Sequence, residues 1–420
     1  THLIAAAILF AALLYAGALP RQQTRVQSLV APQAVTGVTG RVASNPGKTG
    51  ANYRFTLAVE RVRTDHGDYA LESQARGTMT VLYPAALMEA SFPGKLYSGG
   101  RALAQKNQGA EDAELPFVDA GIRLTLEGRT SGDLFIARSA AYARAERTGP
   151  WDSLALFRSR GRLFFRRVLY AWGRAGGLFL ALVTGSREYT EDTLAAAFTA
   201  AGLAHVLALS GMHLSIFTGF SRALGKGVSK RFGSALSLIM VILFVWFAGF
   251  TPSLRRAFLC FLLSFFCGLS GKKSSMTAIL ALAFVVHTVI APADALSLSF
   301  ILSYLGLGGL LVAGKAVESL LRRIPSFPFA SDLSASAGAF IATAPVTWRV
   351  FGVLTPVGIA ASVAVSPLVT VFILTGIACF ALILLFPALT FPAGTLMNAL
   401  YGLMLGIVKL FARFPALRAR

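Results

Sequence analysis

The residues best suited to chemistry lie in one apolar run, residues 202–217, with the sequence GLAHVLALSGMHLSIF. His205, Ser210 and His213 can each donate or accept a proton there. If the run is one helix, these three side chains share a face within an arc of about 140°. The pair Ser210-Gly211 favours a local break, because glycine frees the backbone and serine competes for its hydrogen bonds.

Three interpretations of this run stay open. Ser210 with His213 or His205 has the residue types of a nucleophile and its base, which would make an intramembrane hydrolase. Polar side chains at membrane depth otherwise line a hydrated path. In the third interpretation, Ser210 and Gly211 only allow close helix packing and each histidine caps a neighbour. Against the hydrolase, the sequence shows no recognisable orienting carboxylate nearby and no glycine-rich oxyanion element.

The composition identifies an integral membrane protein. Of 420 residues, 55% are hydrophobic and 14% are charged, whereas a soluble domain carries about 25% charged residues. The mean hydropathy is +0.64. Lysine and arginine number 39 against 19 acidic residues, a formal charge of +20. Cytoplasmic loops account for part of this excess, and the remainder suits anionic lipid or a polyanion such as nucleic acid.

The sequence predicts no disulfide, no metal site and no cofactor. Cys260, Cys267 and Cys379 all lie in apolar runs. The first two are two helical turns apart, which is too far for a bridge between them. Neither a CxxC pair nor zinc-ligand spacing occurs in the chain.

The first 147 residues have two different characters. Residues 1–27 contain an apolar run at 3–19 that is long enough to cross a bilayer, and we expect an uncleaved N-terminal transmembrane anchor. In residues 28–147, apolar and polar residues alternate with period two. This alternation predicts a small antiparallel β domain of five or six short strands, and a barrel of the OB type fits its length.

Barrels of the OB type often bind single strands on a basic, aromatic face. The candidate DNA contacts are Arg54, Arg61 and Arg63. Tyr53, Phe55 and Tyr69 could stack on bases, although alternating aromatic residues in strands more often belong to the core. Both roles stay open for these rings.

Residues 148–200 are basic with interleaved aromatic residues, as in RSRGRLFFRRVLYAWGR. This pattern predicts basic amphipathic helices lying in the membrane interface. The side chains expected in lipid are Phe164, Phe165, Leu169 and Trp172. Contact with a polyanion is the alternative use of this stretch.

Residues 201–420 form a multi-span transmembrane domain. The expected spans are 203–220, 235–250, 253–269, 276–290, 296–312, a weaker one at 335–348, the long run 353–386, and 396–411. The long run contains Pro356 and Pro367, which predict one broken segment and one true span. The fold class is therefore a polytopic α-helical bundle, preceded by an N-terminal transmembrane helix and a small extracytoplasmic OB-like β-barrel domain.

The distribution of positive charge predicts the orientation. Lysine and arginine cluster in the loops at 222–231, 271–273 and 315–323, which places these loops in the cytoplasm. The N-terminus is then inside and the β domain outside. The topology after Arg349 and the side of the C-terminus stay open.

This orientation gathers unusual polar residues near the outer face. Besides His205, they are Pro252, Arg255 and Arg256 at the start of one span and Asp294, Ser299 and Ser303 at the start of another. Charges within spans usually mark functional sites with a partner close by. Asp294 is the expected counter-ion of Arg255 or Arg256, although either arginine could instead snorkel to the interface.

Several of these segments resemble one family. HVLALSGMHLSIF is similar to the H-L-L-A-I-S-G-L-H signature of the ComEC family, the DNA-uptake channel proteins of natural competence. AGFTPSLRRAF resembles that family's G-x-x-P-S-x-x-R-A segment, and LSLSFILSYLGLGGLL resembles its S-x-G-F-Q-L-S-F-x-A segment, with Ile301 in place of the glutamine. A β domain behind one N-terminal span resembles the family's extracellular OB-like domain.

The resemblance implies a channel that passes single-stranded DNA inward across the bacterial cytoplasmic membrane, and no enzyme. The 420 residues contain no HxHxDH motif of the nuclease-like domain that larger members carry, and no phosphate-binding GxxxxGK[ST] loop. The resemblance therefore implies an external DNA receptor and an ATP-driven translocase in the cytoplasm as partners.

Two rival functions accompany this expectation. The first is the hydrolase built on Ser210, and the second is a small-solute transporter. Transporters often contain inverted repeats, and we find no internal repeat in the chain. A homo-oligomer is left open.

Overall fold

The structure, a computed structural model, describes residues 34–66, 69–90, 117–131, 134–142, 149–187, 190–271, 274–323 and 329–418. The N-terminal anchor expected at residues 3–19 lies outside this part. The described chain divides into two compact units. We call residues 34–180 with 186–187 the β unit, and residues 181–185 with 190–418 the helical unit.

The β unit is built on a six-stranded sheet in the order β1-β5-β6-β4-β3-β2, in which β1 also pairs with β3. The strands are β1 (Gly37–Val42), β2 (Gly47–Thr49), β3 (Asn52–His66), β4 (Tyr69–Pro84), β5 (Arg123–Ser131) and β6 (Leu134–Tyr142). All pairs are antiparallel except β4 with β6, which run parallel. The predicted small β domain is confirmed with this one parallel pair, and the OB-type barrel stays a prediction.

The core of the β unit follows from the alternation along its strands. One face of each of the five longer strands buries apolar side chains, such as Leu57, Val81 and Leu124, because successive residues point to opposite faces. Tyr53 and Phe55 are 1% and 2% exposed and belong to this core. Base stacking by these two rings, one of the two roles considered, is therefore wrong.

The β unit also contains α1 (Ala85–Ala90), α2 (Pro150–Tyr170) and the first part of α3 (Gly173–Thr184), whose residues 181–184 belong to the helical unit. Helix α2 begins with Pro150 in its first turn, where a missing N–H costs nothing. Its buried face carries arginines that meet groups of the β unit. Arg162 lies 2.9 Å from the carboxylate of Asp119 and donates to Asn45 Oδ1 at 3.1 Å.

This packing corrects the expected lipid-facing side of α2. Phe165, Leu169 and Trp172 are buried in protein, whereas Phe164 is 49% exposed. The arginines account for the difference, because a buried guanidinium requires a partner such as Asp119. One face of α2 would be assigned to lipid from its apolar residues alone. In the structure, that face packs against other residues of the β unit.

The helical unit contains nine helices within the described residues, joined by short turns. They are α4 (Asp192–Ala200), α5 (Gly211–Gly225), α6 (Lys230–Ala248), α7 (Pro252–Leu269), α8 (Met276–Ile290), α9 (Leu298–Leu321), α10 (Ala330–Phe351), α11 (Gly358–Leu385) and α12 (Thr390–Phe411). A 3-10 turn, Pro292–Leu296, separates α8 from α9. The two-residue strands β7 (Val353–Leu354) and β8 (Leu417–Arg418) pair with each other.

Five of the described helices are long and apolar enough to cross a membrane. These segments are Arg231–Ala248, Pro252–Leu269, Leu298–Leu321, Gly358–Leu385 and Pro387–Phe411. The apolar helix α8 is shorter, with 15 residues. The prediction of a helical membrane protein is confirmed at this level.

Three of the expected spans differ from the helices. At 203–220, the helix begins only at Gly211, and α5 has 15 residues. Helix α10, which covers 335–348, is not among the five long apolar segments. The run 353–386 holds one continuous helix, α11, which contains Pro367 without a break. A membrane helix tolerates such a proline when neighbouring groups satisfy the freed carbonyl.

Helices α9 and α10 approach each other closely at glycines. A Cβ at Gly338 would lie 2.4 Å from the backbone nitrogen of Gly314 and 2.7 Å from the carbonyl oxygen of Gly309. Small residues let membrane helices pack backbone against backbone, where dispersion replaces the missing hydrophobic drive. This contact holds α9 in place, and α9 carries part of the site described next.

Candidate functional site

The Ser-Gly-x-His segment forms the start of helix α5. Ser210 is its N-cap, with an extended backbone, and Gly211 is its first residue. The backbone N–H of Ser210 donates to Nδ1 of His213 at 3.3 Å, and Ser210 Oγ lies 3.3 Å from the same nitrogen. The predicted break at Ser210-Gly211 is confirmed. Residues 203–210 precede the helix, so the shared helical face that included His205 is wrong.

The contacts of His213 are those of a capping group. Its Nδ1 satisfies an N–H at the helix start, which is the role of the third residue in a capping box. Its Nε2 is buried and has no hydrogen-bond partner among the described residues. A base for nucleophilic catalysis is normally oriented by a third group on that nitrogen. The described geometry therefore favours the third interpretation of this run.

An ion pair joins α7 to the turn before α9. Arg255, in α7, donates to Oδ2 of Asp294, which lies in the 3-10 turn Pro292–Leu296. This confirms the expected counter-ion and selects Arg255 for it. Burial by itself would raise the pKa of Asp294, but the hydrogen bond from His287 and the charge of Arg255 outweigh burial and hold that pKa below its ordinary value.

His287 and Tyr304 extend this ion pair into a network that our sequence reasoning missed. Nε2 of His287 donates to Asp294 Oδ2 at 3.0 Å, and its Nδ1 lies 3.2 Å from the Tyr304 hydroxyl. The Tyr304 hydroxyl donates to the carbonyl of Ala283 at 3.1 Å. The signal was present, because His287 is an ionisable residue within the apolar helix α8, and such residues are rare without a function.

Arg256 occupies a different environment from its neighbour Arg255. It is only 8% exposed, and Nη1 donates to the backbone carbonyl of Ser303 in α9. Nη2 lies against Gly211, where a Cβ would be 3.1 Å away. No acidic side chain among the described residues is within ion-pair distance of Arg256. Its burial argues against snorkelling.

The remaining predicted residues of this region divide into two groups. Pro252 is the first residue of α7, and Ser303 Oγ hydrogen-bonds Ser253 Oγ at 3.0 Å. These residues stand beside the arginines. Ser299 is exposed on α9 and makes no contact with the network in the described residues. His205 is likewise exposed, in the turns before α5.

The three arginines named as DNA contacts lie on β3. Arg61 is 3.6 Å from Glu72, and Arg63 is 3.1 Å from Asp65 and 3.5 Å from Glu127. Arg54 is exposed and forms no ion pair with the described residues. Of the three arginines, Arg54 is thus the one whose charge is not neutralised by an acidic residue of the described chain.

The described residues contain no group of three or more His, Cys, Asp or Glu side chains that could hold a metal ion. The three cysteines are unpaired thiols in the structure. The site is therefore described by charge and hydrogen bonding alone.

Comparison with known proteins identifies one family whose model covers this region. A family model described as Competence protein matches residues 182–419, which include the Ser-Gly-x-His segment, both arginines and the Asp294 network. ComE operon protein 3 of Bacillus subtilis (strain 168) is 36% identical over 83 residues, which are 19% of this chain and 11% of that protein. No solved structure matches the chain. Because the family model covers more than half of the sequence, the chain belongs to the Competence protein family.

Proposed function

We propose that this protein is a channel through which single-stranded DNA passes inward across the bacterial cytoplasmic membrane during natural transformation. Membership of the Competence protein family supports a role in DNA uptake. The observation that carries the channel is the cluster of Arg255, Arg256, Asp294 and His287 where helices of an apolar, multi-span unit meet. Ionisable groups at such a place line ion or substrate pathways.

The two arginines have separate roles in this proposal. Arg255 stabilises the helix ends, because its charge is neutralised by the ion pair with Asp294. Arg256 meets the strand, because its charge is not offset by an acidic group in the described residues. Ser210 and His213 keep α5 starting at Gly211 and so keep the first turn of α5 beside Arg256.

The β unit receives the strand on the outer side of the membrane in this proposal. Arg54 supplies an exposed charge, while Arg61 and Arg63 exchange their acidic partners for phosphates. An OB-type arrangement is supported by β1 pairing with both β5 and β3 and by the parallel pair β4–β6. Tyr53 and Phe55 take no part, because they are buried.

The channel requires partners for delivery and energy. We propose a DNA receptor outside and an ATP-driven translocase in the cytoplasm, since the chain has no phosphate-binding GxxxxGK[ST] loop. Assembly of several copies around one path is part of the same proposal. The lipid bilayer is the solvent of the helical unit.

Reconstitution of the full chain into liposomes tests this function. A dye-labelled oligothymidylate is added outside, and a single-strand-binding protein trapped inside makes entry irreversible. The proposal predicts entry that depends on the protein and excludes double-stranded DNA. Entry of small anions without the oligonucleotide would instead identify a small-solute transporter.

The Ser210–His213 distance of 3.3 Å keeps the hydrolase as the second candidate. Replacing Ser210 by Ala separates the two functions. A hydrolase loses all activity with this change, whereas a channel keeps DNA entry at a reduced rate, because only the helix cap is weakened. Complete loss of DNA entry in a folded S210A variant would count against the channel interpretation.

A further inference from the structure

The N-terminus of α5 meets the guanidinium of Arg256. Arg256 lies in the second turn of α7, its Nη2 is next to Gly211 at the first position of α5, and its Nη1 reaches Ser303 in the second turn of α9. Each helix start carries a partial positive charge of about half an elementary unit. The guanidinium and the α5 terminus therefore add charge of one sign at one point.

Nothing in the described chain neutralises this point. The first turns of α5, α7 and α9 contain no acidic residue. The nearest carboxylate of the network, Asp294, is held by Arg255 and His287. Arg256 is more than nine-tenths buried, and its Nε has no hydrogen-bond partner among the described residues. A buried charge that has a carbonyl but no carboxylate beside it is costly, which points to an anion as the missing partner.

The guanidinium of Arg256 lies between α9 and the start of α5. Nη1 anchors the guanidinium to the Ser303 carbonyl, which leaves Nη2 directed at the first turn of α5. Backbone N–H groups at a helix start bind phosphate for the same electrostatic reason. Gly211 contributes by its lack of a side chain, because a Cβ would occupy the space beside Nη2.

We propose that Arg256 and the first turn of α5 form a binding site for one phosphate group of a phosphodiester. This inference rests on the proposed function in taking the DNA backbone as the source of that phosphate. It assigns the contact to Arg256 and excludes Arg255, which is bound to Asp294. The site reads the backbone and no base, so it accepts any sequence.

Binding to the full chain in nanodiscs tests the site. The probe is a fluorescent abasic oligomer of deoxyribose phosphate, which carries phosphodiesters and no bases. In phosphatidylcholine discs we expect R256Q to weaken binding about five- to tenfold. The slope of log affinity against log salt should fall in magnitude by about 0.7, the contribution of one single-strand phosphate. R231Q, which removes an exposed arginine of α6, is the matched control and should bind like the wild type.

A second variant keeps the test decisive if R256Q does not fold. G211A leaves the arginine in place and fills the space beside Nη2, so it should also weaken binding of the abasic oligomer. Wild-type affinity and salt slope in whichever of the two variants is folded would overturn the site.

Lipid provides the other source of the same phosphate chemistry. If discs of phosphatidylglycerol displace the oligomer from the wild type and not from R256Q, the site exists and a lipid headgroup occupies it. The liposome assay separates this inference from the proposed function. DNA entry at the wild-type rate through R256Q would refute the site alone, and Arg256-dependent binding without any DNA entry would refute the channel alone.

Discussion

Gly211, the first residue of α5, lies directly against the guanidinium of Arg256, with only 3.1 Å between the position of a Cβ and Nη2. This contact joins the Ser-Gly-x-His segment to the Pro-Ser-x-x-Arg segment, which the chain separates by a whole helix. A glycine is thus required at position 211 because Arg256 lies beside it, and not because of the backbone conformation of Gly211. The two segments therefore meet at one place in the fold.

The contact predicts that Gly211→Val destabilises the protein by about 1–3 kcal/mol, because the branched side chain displaces an arginine that Ser303 anchors. Gly219→Ala is the control, since the same helix leaves open space there. It should be neutral or stabilise by up to about 1 kcal/mol through helix propensity. Thermal unfolding of both variants in nanodiscs measures the difference. A G211V variant as stable as G219A would contradict the contact.

The Asp294 network predicts the effect of removing one charge. Asp294→Asn should lower the free energy of unfolding by about 2 kcal/mol, because Arg255 and His287 both lose a charged acceptor. Ser299→Ala, at an exposed position of the same helix end, should change it by less than about 0.5 kcal/mol. Chemical denaturation in mixed micelles checks this pair. Equal stability of D294N and S299A would show that the network contributes nothing.

The same residue predicts a pH dependence. Since the pKa of Asp294 is lower in the folded protein than in the unfolded chain, its contribution to stability is present above about pH 4. The contribution disappears as the pH falls through the folded value. Thermal midpoints between pH 6 and pH 2 should therefore drop further for the wild type than for D294N. Parallel curves for the two proteins would be evidence against the lowered pKa.

The buried pair Asp119–Arg162 predicts a large effect in the β unit. Asp119→Asn should cost about 3–5 kcal/mol, because Arg162 is 2% exposed and loses the carboxylate that it contacts at 2.9 Å. Glu72→Gln is the matched control, since its pair with Arg61 is at the surface and contributes at most about 1 kcal/mol. Hydrogen exchange of the full chain reports on the sheet in both variants. Similar protection of β3 and β5 in D119N and E72Q would disprove the role of this pair.

The close approach of α9 and α10 predicts a contrast between two glycines. Gly338→Ala should destabilise by about 1–3 kcal/mol, because its Cβ would meet the backbone of Gly314 and Gly309 at under 3 Å. Gly308→Ala faces open space and should be tolerated. Unfolding of the two variants in the same detergent is the measurement. The prediction fails if G338A unfolds with the midpoint of G308A.

Much of this protein could be predicted from the sequence because the signals are local. The excess of apolar residues determined the membrane class, and the change from period two to long apolar runs separated the β domain from the helical part. The break at Ser210-Gly211 followed from the conformational preferences of two adjacent residues. The pairing of Asp294 with an arginine followed from the cost of an isolated charge at membrane depth.

Only the tertiary structure decided which groups meet. Periodicity showed that α2 is amphipathic but not that its arginines turn toward Asp119, because the sequence pattern does not record what lies opposite a face. For the same reason, the sequence did not reveal the contact between His287 and Tyr304. It also did not show that Arg255 and Arg256 have different partners. Adjacent residues of a helix point about 100° apart, so one arginine reaches Asp294 and the next reaches Ser303 and Gly211. Their roles depend on the helices that pack beside α7, which local sequence does not encode.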